Sequence, residues 1–262
     1  MSQLLSDMYG LANPYVKAKD FLASCEFELE GLIPDCAPPA LGNWAGKPDG
    51  SLRNHGVEYV SRHARDRKTL ISDAEHLLKE MKEKYFDKKS DHFSERTSTH
   101  VHINCSSLTD EQVRTIVLLY ALFEEFFFYM VKPERRHNIH CVPLTETHLP
   151  HHYKENMESL RQRWHKYTAL NMGRLTDLGT LEFRHLHGTD SMKELDEWLH
   201  VLENLWKLGQ RVTITKENIV NKDTVKTWFE SIFFPCDKIM GMSPNLNTII
   251  KNSLIDVKLS LS

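Results

Sequence analysis

Three stretches of the sequence place chemically capable side chains at every second position. The first is Glu26-Phe27-Glu28-Leu29-Glu30, the second His100-Val101-His102-Ile103-Asn104, and the third Gly179-Thr180-Leu181-Glu182-Phe183-Arg184-His185. Side chains of a β-strand alternate between its two faces. If each stretch is a strand, the three glutamates share a face, His100 and His102 share one with Asn104, and Glu182 shares one with Arg184. Three like charges on one face repel, and a hard divalent cation such as Mg²⁺, which prefers oxygen ligands, offsets the repulsion. Two imidazoles at i and i+2 reach a single site as metal ligands or as donors to a phosphate. A carboxylate beside a guanidinium is half of a metal–phosphate site, the acid holding the cation and the arginine the anion.

Each stretch also has a plainer explanation. With Cys25, Phe27 and Leu29 on the other face, the glutamates fit an edge strand with a solvated acidic side. The histidines fit a half-exposed strand, and an isolated E-x-R is most often a structural ion pair. A fourth segment, the Asp49-Gly50-Ser51 turn followed by residues 56–61, sets Glu58 between apolar neighbours. The shared period of two is what joins these segments: one concave sheet face carrying all of them is what a metal–nucleotide site needs.

The elements that must position these residues are readable from spacing. Strands are expected over residues 25–32, 57–61, 99–104 and 179–186. Pro34, Pro38, Pro39, Gly42, Gly46, Pro48 and Gly50 predict a loop between the first two. Ser72 with Glu75 predicts a capping box ahead of a helix with Ala74, Leu77, Leu78, Met81 and Tyr85 on one face. Thr109 with Gln112 predicts another, opening a long helix through Phe126-Phe127-Phe128. Pro133, Pro143 and Pro150 predict a long loop over residues 132–152, and long loops inside compact domains are often functional. A helix is expected over 156–167. Ser191 with Glu194 caps a further one carrying Leu195, Trp198, Leu199, Leu202, Leu205 and Trp206. Ser243-Pro244 reads as an N-cap with proline in the first helical position. Strands separated by long helices, without βαβ alternation, give an α+β class.

Composition narrows the function classes. At 262 residues and 40% apolar content the chain can bury a core without staples. A net charge of −3 gives no electrostatic argument for nucleic acid or membrane. Cys25, Cys36, Cys105, Cys141 and Cys236 form no C-x-x-C pair and are odd in number. That argues against a disulfide scaffold and a thiolate zinc site, and makes the cytoplasm the expected compartment. The N-terminus lacks a signal-peptide layout. The apolar run 116–131 is broken by Glu124-Glu125 and reads as a buried helix rather than a membrane span.

The ordered segments CEFELEG, DGSL with GVEYVS, STHVHINCSSL, RWHKYTALNM and GTLEFRHLHGT resemble the glutamine synthetase and glutamate–cysteine ligase superfamily. They look closest to its branch of short amidoligases from phage and bacterial gene clusters. The resemblance spans roughly residues 25 to 190. H-V-H followed by S-L and G-T-x-E-F-R are fairly specific together; E-x-E alone is not. The resemblance implies a curved antiparallel sheet with helices packed on its outer face and Mg²⁺, or Mn²⁺, around ATP on its inner face. It implies a single ligase domain over 1–262, with the catalytic sheet at about 25–190 and a helical part at about 191–262. Carried over, Glu26, Glu28, Glu58, His100 and Glu182 are metal ligands, with Glu28 and Glu30 as the alternative pair. Arg184 holds the γ-phosphate or acyl phosphate, and Glu58 doubles as a catalytic carboxylate. His102 contacts nucleotide phosphates, with Asn104 beside it. Arg161 or Arg163, Tyr167 and Asn171 come near substrate, Arg161 and Tyr167 on the cofactor side and Arg163 and Asn171 on the catalytic side.

The implied reaction is ATP-dependent amide formation between a small-molecule or peptide carboxylate and an amine, in the host cytoplasm if the chain is phage-encoded. An oligomer is compatible; nucleic acid and membrane are not expected partners. Too few residues precede Glu26 for the separate N-terminal domain of glutamine synthetases. Arg96-Thr97-Ser98-Thr99 stands where those enzymes have an Asn-Gly-rich run, so a ring oligomer and the glutamate–ammonia pair do not carry over. Two other classes compete. His137, His140, Cys141, His148, His151 and His152 could bind zinc in the loop 137–152, as a metal-binding hydrolase or zinc-binding module. The chain could also be an inactive scaffold of the same fold.

Overall fold

The structure, a computed structural model, describes residues 3–36, 39–146 and 157–262. Its centre is an open, curved antiparallel sheet of seven strands: β1 Ala23–Leu29, β2 Ala40–Leu41, β3 Trp44–Pro48, β4 Val57–Ser61, β5 Thr99–Asn104, β6 Leu170–Asn171 and β7 Thr180–Phe183. Their order is β2-β3-β4-β1-β5-β7-β6. With the helices packed against it, this makes an α+β fold.

Register brings the polar positions of different strands side by side. Glu26 pairs with His100, and Glu28 with Glu58. Lys47 lies opposite Glu58, His102 opposite Glu182, and Asn171 opposite Glu182. The alternate positions, Phe27, Leu29, Tyr59, Val101, Ile103, Leu181 and Phe183, are buried in the core. A one-residue slip would exchange the two sets, so the apolar face specifies the polar one.

The long helices are α1 Arg67–Lys84, α2 Asp110–Met130, α3 Met192–Gly209 and α4 Lys222–Phe233. The capping box of Thr109 and Gln112 opens α2, and the Ser191 side chain caps α3 by accepting from the Glu194 N–H. Tyr120 of α2 meets Phe183 of β7 edge-on, centroids 5.8 Å apart. Phe229 of α4 packs against Phe126 at 4.8 Å and Phe123 at 6.0 Å. None of the described helices is long and apolar enough to cross a membrane.

Several boundaries differ from expectation. The cap of α1 is Asp66, six residues before the expected cap at Ser72, and it accepts from the Thr69 N–H and hydroxyl. The expected loop at 34–50 contains β2 and β3: Gly42, at φ 55°, turns the hairpin, and Pro48 sits at the strand end where it breaks no ladder. Pro38 lies outside the described residues. Strand β1 stops at Leu29 because Gly31 turns the chain at φ 65°, and β7 is shorter than 179–186. The described part of 132–152 holds two short turns, Pro133–His137 and Leu144–Glu146. The helix expected over 156–167 is Met157–Arg163, with Asn156 outside the described residues. Ser243 is not a cap; it lies inside a 3₁₀ turn and its side chain makes no capping bond.

The packing of α4 on α2 predicts that the C-terminal helices and the sheet unfold together. Phe229→Ala should lower stability by about 3–5 kcal/mol in urea denaturation, with a single transition. Two separate transitions would instead mean two independent units.

Candidate active site

The polar sheet face lines a cleft of about 520 Å³. Its floor is Glu26 and Glu28 of β1, Glu58 of β4, His100 of β5 and Glu182 of β7, bordered by Asn171 of β6. His100 Nδ1 lies 3.3 Å from Glu26 Oε2 and 3.5 Å from Glu182 Oε1. Ser98 donates both its N–H and its hydroxyl to Glu28 Oε2, each at 2.7 Å. With its proton thus engaged, Ser98 Oγ accepts from His100 Nε2 at 2.8 Å. This network places a proton on Nε2. Nδ1 then either carries a second proton or turns a lone pair, together with two carboxylate oxygens, toward a cation.

Electrostatics separates the carboxylates. Burial pushes Glu26 up, but His100 and His102 outweigh it and hold the group well below the usual carboxylate range. For Glu182 burial is likewise overcome, by His102, His100 and Arg184. Glu58 goes the other way, raised by burial and by the charge of Glu26 despite Lys47 Nζ at 2.5 Å. Burial pulls His102 down, yet its contact with Glu26 and the charge of Glu182 leave it raised.

Above this floor stands a cationic rim: Lys47, Arg96, Arg135, Lys166, Arg174 and Arg184. Arg184 donates to Glu182 and, through Nε, to the His140 carbonyl at 3.0 Å. Lys166 Nζ lies 4.6 Å from the Tyr167 ring centre, and His140 meets the same ring edge-on at 4.8 Å. Arg135, 3% exposed, donates to the carbonyls of Arg184 and His185. Acidic floor and basic rim together match a cation-bound polyanion.

Of the residues expected from sequence, Glu26, Glu28, Glu58, His100, Tyr167, Asn171, Glu182 and Arg184 line this cleft. Asn171 donates to Glu182 at 2.7 Å. His102 and Asn104 line a second cavity of about 220 Å³ that also includes Glu26, with Tyr15, Val60, Ala64 and Leu178 among its walls. Arg161 and Arg163 line neither cavity. Arg161 pairs with Glu158 at 2.6 Å, and the chain reaches the cleft only from Lys166 onward. Glu30 points elsewhere: it is 2% exposed and accepts from the Arg53 N–H and the Ser94 hydroxyl, tying two loops together. Sequence reasoning missed Lys47, because β3 read as loop, and the rim cations Arg96, Arg135, Lys166 and Arg174. Ser98 carried a signal, since it continues the period of His100 and His102.

Three donor groups fit a divalent cation: Glu26, His102 and Glu182; Glu26, Glu58 and His100; and Glu28, Asp49 and Glu58, the ligand atoms of each lying within 4.8 Å of one another. Carboxylate oxygens with one or no imidazole suit Mg²⁺ and Mn²⁺. His102 Nε2 supports the fit: it is buried, 3.3 Å from Glu26 Oε1, and has no hydrogen-bond partner among the described residues. The loop histidines form no such group among the described residues. His137 and His140 are exposed, burial pushes the Cys141 thiol up to about 11, and His148, His151 and His152 lie outside the described residues.

A family model described as "Putative amidoligase enzyme" matches residues 64–206, more than half of the chain, and the chain belongs to that family. A comparison with curated proteins gives no match. The matched span supplies His100, His102, Asn171, Glu182 and Arg184. Glu26, Glu28, Lys47 and Glu58 precede it and join the site through strand pairing.

Because Glu26 belongs to two of the three donor groups and Glu30 to none, their variants should separate. Glu26→Gln is expected to weaken Mn²⁺ binding, read by calorimetry, by roughly tenfold or more. Glu30→Gln should leave it within about twofold in protein that remains folded. The reverse pattern, loss in Glu30→Gln with Glu26→Gln unchanged, would place the ligand pair at Glu28 and Glu30 instead.

Proposed function

We propose that the protein is an ATP-dependent carboxylate–amine ligase with a glutamine-synthetase-like catalytic sheet. The observation that carries this reading is the carboxylate–imidazole floor set beneath a rim of guanidinium and ammonium groups, in a member of the amidoligase family.

A carboxylate does not condense with an amine at neutral pH, because oxide would have to leave. Phosphorylation by ATP converts that oxygen into a phosphate leaving group, and the amine then attacks the acyl phosphate. Glu26, Glu28, Glu58, His100, His102 and Glu182 would hold Mg²⁺ or Mn²⁺, which would supply charge neutralisation for the phosphoryl group. Arg184 is braced by Glu182 on one side and the His140 carbonyl on the other. So fixed, its guanidinium holds the transferred phosphoryl without reorganising. Asn171, bonded to Glu182, keeps that carboxylate aimed at the cleft. Glu58 is the carboxylate best suited to take the amine's proton, since burial and Glu26 raise its affinity for one.

The main cleft is lined almost entirely by charged and polar residues, so it suits the triphosphate and the acid substrate. The smaller cavity beside Glu26, with Tyr15, Val60, Ala64 and Leu178, suits the nucleoside, with His102 and Asn104 at its edge. The substrates are a small-molecule or peptide carboxylate and an amine, and the cytoplasm is the matching compartment.

The test is an ADP-release screen of carboxylates and amines with Mg²⁺ and with Mn²⁺. With an active pair, Glu182→Gln, His100→Ala and Arg184→Lys are each expected to lower kcat by about 100-fold. Unchanged turnover in the Glu182 or His100 variant contradicts the reading, as does tightly held zinc in protein that binds no ATP.

A further inference from the structure

The roof of the cleft comes from a segment that is itself neither strand nor α-helix. Arg135, Asn138 and His140 line the cleft from residues 133–140, which continue through Leu144–Glu146. Two attachments hold this segment to its neighbours in the sheet layer. Val142 donates to the Tyr167 carbonyl at 2.8 Å and accepts from Ala169 at 2.7 Å. Arg135 and Arg184 exchange contacts with each other's segments, Arg135 to the carbonyls of Arg184 and His185, Arg184 to that of His140.

The third attachment comes from below. Glu124 of α2 is fully buried. Its carboxylate accepts from the backbone N–H groups of Leu144 and Thr145 and from the Tyr120 hydroxyl. Tyr120 Oη is also 2.8 Å from His185 Nε2, and His185 follows Arg184 in the chain. With the hydroxyl proton directed at Glu124, the imidazole donates to Tyr120. The chain then runs His185 to Tyr120 to Glu124 and ends on a carboxylate that receives two further N–H bonds. Among the described residues no cation pairs with Glu124, and an unpaired buried carboxylate is a costly group for a fold merely to contain.

We propose that Glu124 is a positioning residue of the site: it joins α2 to the 144–145 backbone and, through Tyr120, to the strand end bearing Arg184, and so sets the roof and its arginines above the glutamate–histidine floor. The proposal rests on the metal–nucleotide reading of the cleft only for its functional consequence. The mechanical part stands on the hydrogen bonds alone.

Glu124→Gln keeps the side-chain volume but replaces one acceptor oxygen by a donor that faces occupied N–H groups. Three readouts are compared with the parent: amide hydrogen exchange, Mn²⁺ affinity and ATP affinity in the presence of Mg²⁺. Expected are exchange at 133–146 faster by about tenfold with 99–104 unchanged, Mn²⁺ affinity within about twofold, and ATP binding weaker by about tenfold. Unchanged exchange and ATP affinity overturn the proposal. So does loss of Mn²⁺ and ATP binding together with faster exchange in both segments, which marks a role in stability only. If Glu124→Gln does not fold, Tyr120→Phe serves instead. It keeps the backbone bonds of Glu124 and cuts the link to His185, so ATP affinity should fall with Mn²⁺ affinity retained, and unchanged ATP affinity overturns the link. If the parent binds no ATP, the ligase reading fails, and the exchange comparison alone then decides whether Glu124 holds the roof.

Discussion

Four carboxylates converge on one face of the sheet, and the site is organised by the need to balance them. Like charges about 4 Å apart repel by roughly 1 kcal/mol in water and about 4 kcal/mol at the effective dielectric of a partly buried site. The chain offsets part of this from the periphery, where Lys47 pairs with Glu58 and Arg184 with Glu182. Ser98 ties down Glu28. His100 and His102 stand between the remaining oxygens. What is left is a demand for positive charge at the centre of the floor, where the donor groups overlap on Glu26 and Glu58.

The rest of the fold serves that arrangement. Antiparallel pairing sets Glu26 against His100, Glu28 against Glu58, and His102 against Glu182, and the apolar alternates lock the register by their burial in the core. The rim and roof are built differently, from loops held by backbone carbonyls and by buried carboxylates. Glu30 ties the loops around Arg53 and Ser94, and Glu124 ties the segment at Leu144 and Thr145. Floor and roof therefore have separate supports.

The floor was readable from sequence because a strand's period of two is local. E-x-E, H-V-H and E-x-R each announce a face without knowledge of their neighbours. The α2 and α3 caps were readable for the same reason. What could not be read depends on contacts between distant residues. Lys47 belongs to a hairpin hidden by its glycines and prolines, and its role needs the pairing with Glu58. Arg135 reaches the site by bonding carbonyls some fifty residues away. Arg161 and Arg163 show the converse: they sit in the right segment, but the helix ends before the chain enters the cleft. Glu30 shares a sequence pattern with Glu26 and Glu28, yet lies past the strand end and turns to the loops.

The most direct test of the account is the structure of the protein with Mn²⁺ and a non-hydrolysable ATP analogue, using the anomalous signal of manganese. The account predicts metal peaks within about 2.0–2.3 Å of Glu26 together with His100 or Glu182, and the triphosphate beneath Arg184. Manganese bound away from Glu26 and Glu182, or an analogue that leaves Arg184 untouched, would contradict it.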